Sequence, residues 1–198
     1  MKAITEKPVH APIRRQPGLT LVEMMFTLVV LAILIAIGIP AMGIFIEKNR
    51  LKGAAQAAFN DLAYARSEAI KRNHEINVNF ITDGALAWCY GIDENANCDC
   101  TIADPNNANA CALNAAADGS SATNTLKVTS ASSYPTIKMT SVTASNVAFN
   151  PTRGIADGTT AIFQSESDKQ IKVIVSTLGR VRVCSPSGST KISGYPDC

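Results

Sequence analysis

The feature that most constrains this chain is an apolar run close to its start. From residue 24 to residue 39 there is no charged side chain, and Thr27 is the one polar group. At about 1.5 Å per residue such a run makes a helix of roughly 24 Å, just short of a bilayer's hydrocarbon core. Residues 19–46 reach across it. Glu23 sits at the front of the run. A carboxylate at membrane depth is costly and is ordinarily found with a partner.

Charge is divided around this run. Residues 1–18 carry Lys2, Lys7, Arg14 and Arg15 against Glu6, whereas residues 19–198 hold 14 basic and 15 acidic side chains, a net of −1. A basic segment ahead of an apolar one keeps the N-terminus cytoplasmic and sends the remainder across the membrane. All six cysteines (Cys89, Cys98, Cys100, Cys111, Cys184 and Cys198) follow the run. An even count in an exported domain favours disulfides. The 198 residues suffice for one globular domain with appendages.

A secretory signal is cut behind its apolar region at small residues, and no strong small-x-small site follows Ile39. One reading is a simple single-span anchor with Glu23 incidental, near the headgroups. The other takes Pro17-Gly18 as a cleavage site before the apolar run. Cutting after Gly18 frees the amine of Leu19, four residues from Glu23, and ammonium and carboxylate can neutralise each other within a chain or between neighbours.

The stretch "GLTLVE", the apolar run behind it and Pro40 resemble the N-terminus of type IV pilins and of the pseudopilins of type II secretion. The resemblance implies that a prepilin peptidase cuts after Gly18 and methylates Leu19. It also implies that Glu23 pairs with the N-terminus of an adjacent subunit and that Pro40 bends the helix. Leu19 stands where the family more usually has Phe or Met. This motif covers about a fifth of the chain.

Beyond Pro40, Ile44, Leu51, Ala54, Ala55, Ala58, Leu62, Ala65 and Ala69 recur at three- and four-residue steps, which predicts one apolar stripe on a continuing helix. Asn73 is its expected stop. Strands are then predicted over 75–81, 85–92, 126–129, 136–142, 147–149, 161–165, 169–176 and 180–184, with turns at Asp83-Gly84 and Leu178-Gly179. Residues 93–125 read as a polar loop. The expected fold class is α+β: a long N-terminal helix, half transmembrane and half packed on an antiparallel β-sheet, with leader 1–18, membrane and assembly segment 19–46 and periplasmic domain 47–198. "VAFNPTRG" and "TLGRVRVCSP" resemble the GspH/FimT/FimU branch of minor pilins and pseudopilins, which extends the likeness over most of the chain.

No catalytic set emerges. His10 falls in the expected leader, leaving His74. There is no Walker A, no G-x-G-x-x-G and no nucleophile–base pair. No cofactor or metal is expected, and the chain reads as a non-enzyme that is itself a peptidase substrate. Cys89, Cys98, Cys100 and Cys111 could in principle hold zinc, but C-x-C in an oxidising compartment favours disulfides. Cys184–Cys198 is expected to close the C-terminal loop. For the other four the shortest non-crossing choice is Cys89–Cys98 with Cys100–Cys111.

"GRVR" places Arg180 and Arg182 on one face of a strand and Val181 and Val183 on the other. Guanidiniums about 7 Å apart suit a phosphate backbone. Residues 169–198 also hold Lys169, Lys172 and Lys191 against Asp197 alone, a local balance of +4. Spacing by itself favours an ordinary solvated strand face. A G-R-x-R motif resembles the one associated in FimT-like pilins with DNA binding for natural transformation, which implies that role for Arg180 and Arg182, with Lys172 and Lys191 as helpers. FimU-like subunits share much of this tail while initiating pili. The expected partners are other pilin subunits, the prepilin peptidase, the inner membrane and double-stranded DNA. Three functions compete: a minor pilin at the fibre tip, a GspH-like secretion pseudopilin, and a membrane-anchored periplasmic enzyme, the last lacking any catalytic set.

Overall fold

The computed structural model describes residues 18, 20–116 and 123–198; at 38–41 only the backbone is described. The chain divides into two units, Met1–Met42 and Gly43–Cys198. Helix α1, Leu21–Arg72, contributes to both. In the first unit its apolar side chains from Leu21 to Ile37 are exposed, and the helix is long and apolar enough to cross a membrane.

In the second unit α1 buries one stripe. Leu51, Ala54, Ala55, Ala58, Leu62, Ala65 and Ala69 are all fully or almost fully buried. Ile44, expected on the same stripe, is 54% exposed. The alanines let the helix axis approach the sheet closely. Asn73 ends the helix in the left-handed region at φ +51°. Its N–H donates to Ile70 O and the His74 N–H to Ala69 O, the paired bonds that satisfy the last carbonyls of a helix.

Ten strands follow: β1 (Ile76–Thr82), β2 (Trp88–Asp93), β3 (Ala112–Asn114), β4 (Asn124–Leu126), β5 (Val128–Ser130), β6 (Lys138–Val142), β7 (Asn146–Phe149), β8 (Thr159–Gln164), β9 (Gln170–Val175) and β10 (Val181–Cys184). They form two four-stranded sheets, ordered β5-β2-β1-β7 and β10-β9-β8-β6, and a ribbon β3-β4. All pairings between strands are antiparallel. Residues 93–125, expected as loop, supply β3 and β4. The run expected at 126–129 divides between β4 and β5, and Arg180 precedes β10 rather than opening it.

Alternation explains the layering. On β9, Ile171, Val173 and Val175 are buried, while Gln170, Lys172 and Ile174 are half-buried on the opposite face. Trp88 fastens the sheets together: its Nε1–H donates to Ile137 O at 2.8 Å, and its ring meets Phe163 edge-on at 5.4 Å.

The disulfides are Cys89–Cys100, Cys98–Cys111 and Cys184–Cys198. The C-terminal bridge agrees with expectation; the pairing of the other four does not, because the two bridges interleave. The physical reason lies in the register of the first sheet. Asn79 of β1 pairs with Gly91 of β2, and Ile81 with Cys89. Asn79 Nδ2 lies 3.2 Å from Cys98 Sγ, which puts Cys98 over the Gly91 level, one step along the sheet from Cys89. Cys111 lies against Gly91 so closely that a Cβ there would overlap its side chain. Cys98 therefore meets Cys111, and Cys100 is left to reach Cys89.

Candidate functional site

The β9–β10 hairpin carries the arginine pair. Ser176 N–H donates to Arg180 O at 3.0 Å and Gly179 N–H to Ser176 O at 2.8 Å, while Arg180 N–H donates to Ser176 Oγ at 3.2 Å. The loop is thus Thr177-Leu178-Gly179, with Gly179 at φ +69°, the left-handed position that three-residue hairpins fill with glycine. A second demand makes glycine obligatory there: a Cβ at 179 would overlap the carbonyl oxygen of Gly154. Gly154 is itself left-handed, at φ +59°, and its carbonyl accepts a hydrogen bond of 3.1 Å from Arg66 Nε on α1. The two glycines of the "NPTRG" and "LGR" segments thus lie against each other beneath one arginine of the helix.

From this seat the chain runs into β10. Arg180 and Arg182 are exposed, and Val181 and Val183 are half-buried against the core, as alternation predicts. Neither arginine has a carboxylate within ion-pair distance among the described residues. Arg182 pairs with Ile174 and Cys184 with Lys172, so Arg182 and Lys172 are diagonal neighbours on the outer face of the second sheet, about 7–8 Å apart at the backbone. Lys191 is differently disposed: its Nζ lies 2.7 Å from Asp197 Oδ1, an exposed pair worth at most about 1 kcal/mol. Lys169 Nζ donates to Ser189 O at 2.6 Å.

The register adds a cation that the sequence reading passed over. Lys138 of β6 pairs with Gln164, which pairs with Gln170 of β9. Lys138 thus shares the outer face with Lys172 and Arg182. The signal was present: Ile137 and Met139, both buried, flank it in alternation.

At the other end of the chain, the Glu23 N–H donates to Thr20 Oγ1 at 3.2 Å. Thr20 is therefore the N-cap of α1 and Glu23 its third residue, where the helix dipole favours a carboxylate. Gly18 is exposed; Leu19 lies outside the described residues. At position 40 the backbone of α1 is helical, and the Pro40 side chain lies outside the described residues.

A buried arginine, missed as a plain helix end, organises the disulfide loop. The Arg72 side chain is 4% exposed. It donates to Glu68 Oε2 at 2.8 Å, Glu94 Oε1 at 3.1 Å and Asn114 O at 2.9 Å. It thereby ties the last turn of α1 to the end of β2 and to the ribbon. Tyr90 is raised well above the usual phenol range by burial and by Asp61, whose Oδ2 accepts its hydroxyl at 2.8 Å. Burial likewise raises Asp93 above the usual carboxylate range.

Comparison with known proteins places these features. The family model described as type II transport protein GspH matches residues 54–179, and that of the prokaryotic N-terminal methylation motif matches residues 13–39. The chain is 34% identical over 82 residues to the pilin-like protein PilA1 of Thermus thermophilus, a match covering 40% of this chain and 50% of that protein. The chain thus spans about half the length of this curated relative. Two crystal forms of the Pseudomonas aeruginosa type IV minor pilin FimU are also similar. In the first the identity is 19%, the match covers 76% of this chain and 98% of the other, and the TM-score is 0.46. In the second the values are 18%, 73%, 98% and 0.43.

Proposed function

The chain belongs to the family of the type II transport protein GspH, and on that premise we propose that it is a minor type IV pilin, incorporated at or near the fibre tip, that binds DNA without sequence preference for natural transformation. In this reading the prepilin peptidase removes residues 1–18 and methylates Leu19. Residues 19–46 hold the subunit in the inner membrane and, through Glu23 and Pro40, in the fibre. Residues 47–198 form the periplasmic domain. The protein is a structural subunit and catalyses nothing.

The observation that carries the DNA-binding part is the pair Arg180 and Arg182, exposed and without carboxylate partners among the described residues. Lys172 and Lys138 on the same sheet face extend the cationic surface toward β6, whereas Lys191, held by Asp197, contributes less than its charge implies. No aromatic side chain interleaves the arginines, so phosphate contact rather than base stacking is the mode this surface supports.

The test is a titration of the full chain in detergent with duplexes of unrelated sequence at two salt concentrations. Alanine at both 180 and 182 is expected to weaken binding equally for all sequences and to reduce the salt dependence by about two counterions. Absence of binding by the unaltered chain at low salt refutes the DNA role. A second reading, a pseudopilin of type II secretion, is favoured by the family match itself. It is separated from the first by whether deletion abolishes fibres and transformation or the secretion of exported proteins.

A further inference from the structure

Each four-stranded sheet has two edges, and three of these four are protected. The outer side of β7 is covered by residues 155–157: Asp157 N–H donates to Ala148 O and Asn150 N–H to Ile155 O. β6 carries a register shift between Met139 and Ser141, and its Met139 accepts from Thr82 Oγ1 and donates to Ala85 O. β5 is three residues long and runs straight into a 3-10 turn at Ala131–Ser133. Covered, bulged and shortened edges are the usual means of blocking strand addition.

β10 differs. The bond from Ser176 N–H to Arg180 O fixes the phase of the β9–β10 ladder. The backbones of Arg180, Arg182 and Cys184 face β9, and those of Val181, Val183 and Ser185 face away. At Ser185 the outward groups are used: its N–H donates to Pro196 O at 2.9 Å, and its C=O accepts from Cys198 N–H at 3.3 Å. This is a parallel pairing with the chain's own tail, pinned by Cys184–Cys198. The outward N–H and C=O groups of Val183 and Val181 have no partner among the described residues. The edge thus already accepts a strand at one position and stops two positions short of the hairpin.

Alongside Val181 lies a groove of about 380 Å³ between the edge and α1, lined by Phe59, Ala63, Arg66, Ile70, Arg180 and Val181. Ile70 is 53% exposed, and Leu178 at the hairpin tip is 73% exposed. Its floor is apolar, two guanidiniums line it, and it contains no carboxylate. From these features we infer that β10 is a strand-acceptor edge. Its occupant is an extended segment of a neighbouring fibre subunit that pairs with Val181 and Val183, sets apolar side chains at alternate positions over Phe59, Ala63 and Ile70, and brings a carboxylate to Arg66 and Arg180. Backbone pairing supplies affinity in such an addition and the alternate pockets supply selectivity. The inference rests on the proposed role as a fibre subunit. It uses the edge of the sheet and the phosphate surface uses its face, with Arg180 at the corner common to both.

The experiment compares amide hydrogen exchange of the full chain in detergent with that of the same chain in fibres sheared from cells. The Val181 and Val183 amides are expected to slow at least tenfold on assembly. Two variants accompany it. Val183→Pro removes an N–H that the fold does not use, which an edge strand tolerates. Ala63→Lys, on an exposed helix position, fills the groove without touching the core. Ala63→Lys is expected to keep the thermal midpoint of the unaltered chain, Val183→Pro to lower it modestly through lost packing against the core while staying folded by circular dichroism, and both to reduce incorporation about tenfold. Unchanged exchange at 181 and 183 in fibres that contain the chain, or full incorporation of Ala63→Lys, overturns the acceptor edge and leaves the fibre role standing. Absence of the chain from fibres overturns both.

Discussion

Gly179→Ala isolates what holds the arginine hairpin in place. Two costs add. An alanine at φ +69° sits in the left-handed region, at about 1–2 kcal/mol. Its Cβ also overlaps the Gly154 carbonyl oxygen, so that carbonyl must move from under Arg66 Nε, which now lies 3.1 Å away. A hydrogen bond from a charged group is worth about 1.5–3 kcal/mol net. The expected loss is therefore about 2.5–5 kcal/mol, a large share of the roughly 5–15 kcal/mol that stabilises a domain.

Two other glycines separate the terms. Gly188 is at φ +91° with nothing near its would-be Cβ, so Gly188→Ala carries the conformational cost alone, about 1–2 kcal/mol. Gly158 lies outside the left-handed region, and its Cβ would meet Val175 O at an ordinary 3.5 Å. Gly158→Ala is expected to be neutral or stabilising by up to about 1 kcal/mol. Urea unfolding of the full chain in detergent, followed by circular dichroism, reads all three as midpoint shifts at constant slope. Equal losses for Gly179→Ala and Gly188→Ala would show that the contact with Gly154 contributes nothing and would refute the account of the seat.

Glu23→Ala is expected to leave the second unit folded and to lower the amount of subunit recovered in sheared fibres; undiminished recovery counts against a pairing role. Cys98→Ser with Cys111→Ser removes a bridge of sequence separation 13 and is expected to cost about 3 kcal/mol. In the unaltered chain, non-reducing peptide mapping is expected to link Cys89 with Cys100, and a Cys89–Cys98 peptide would refute the interleaved pairing. Asp93 is raised by burial, so its contribution to stability is fully present below the unfolded value near 3.8 and is lost as pH rises through the folded value. Asp93→Asn is expected to flatten that fall in a stability-versus-pH series, and an unchanged profile refutes it.

Periodic features were legible in the sequence and register-dependent ones were not. The alanine stripe of α1 and the alternation of Ile171, Val173 and Val175 are local patterns that burial must obey wherever the elements end up, so they could be read without knowing their partners. Ile44 kept the period yet is exposed, because periodicity names a face and not what covers it. β3 escaped notice because a three-residue strand with one buried side chain, Leu113, carries too little pattern to count. The disulfide pairing depends on which β1 residue faces Gly91, a fact of sheet register that spacing along the chain does not contain.

The arginine site shows the same division in one place. Alternation alone put Arg180 and Arg182 outside and Val181 and Val183 inside. That the hairpin is held by Gly154, 25 positions earlier, and by Arg66 on the helix requires the tertiary fold. So does the pairing of Lys191 with Asp197, which takes one cation out of a surface that a charge count had included. Lys138, which sequence distance had excluded, comes in through two steps of strand register, from Gln164 to Gln170. The cationic face is therefore set by the β6-β8-β9-β10 order rather than by the "GRVR" stretch alone. A variant that shifted that register would remove Lys138 from the surface while leaving every residue of the motif intact.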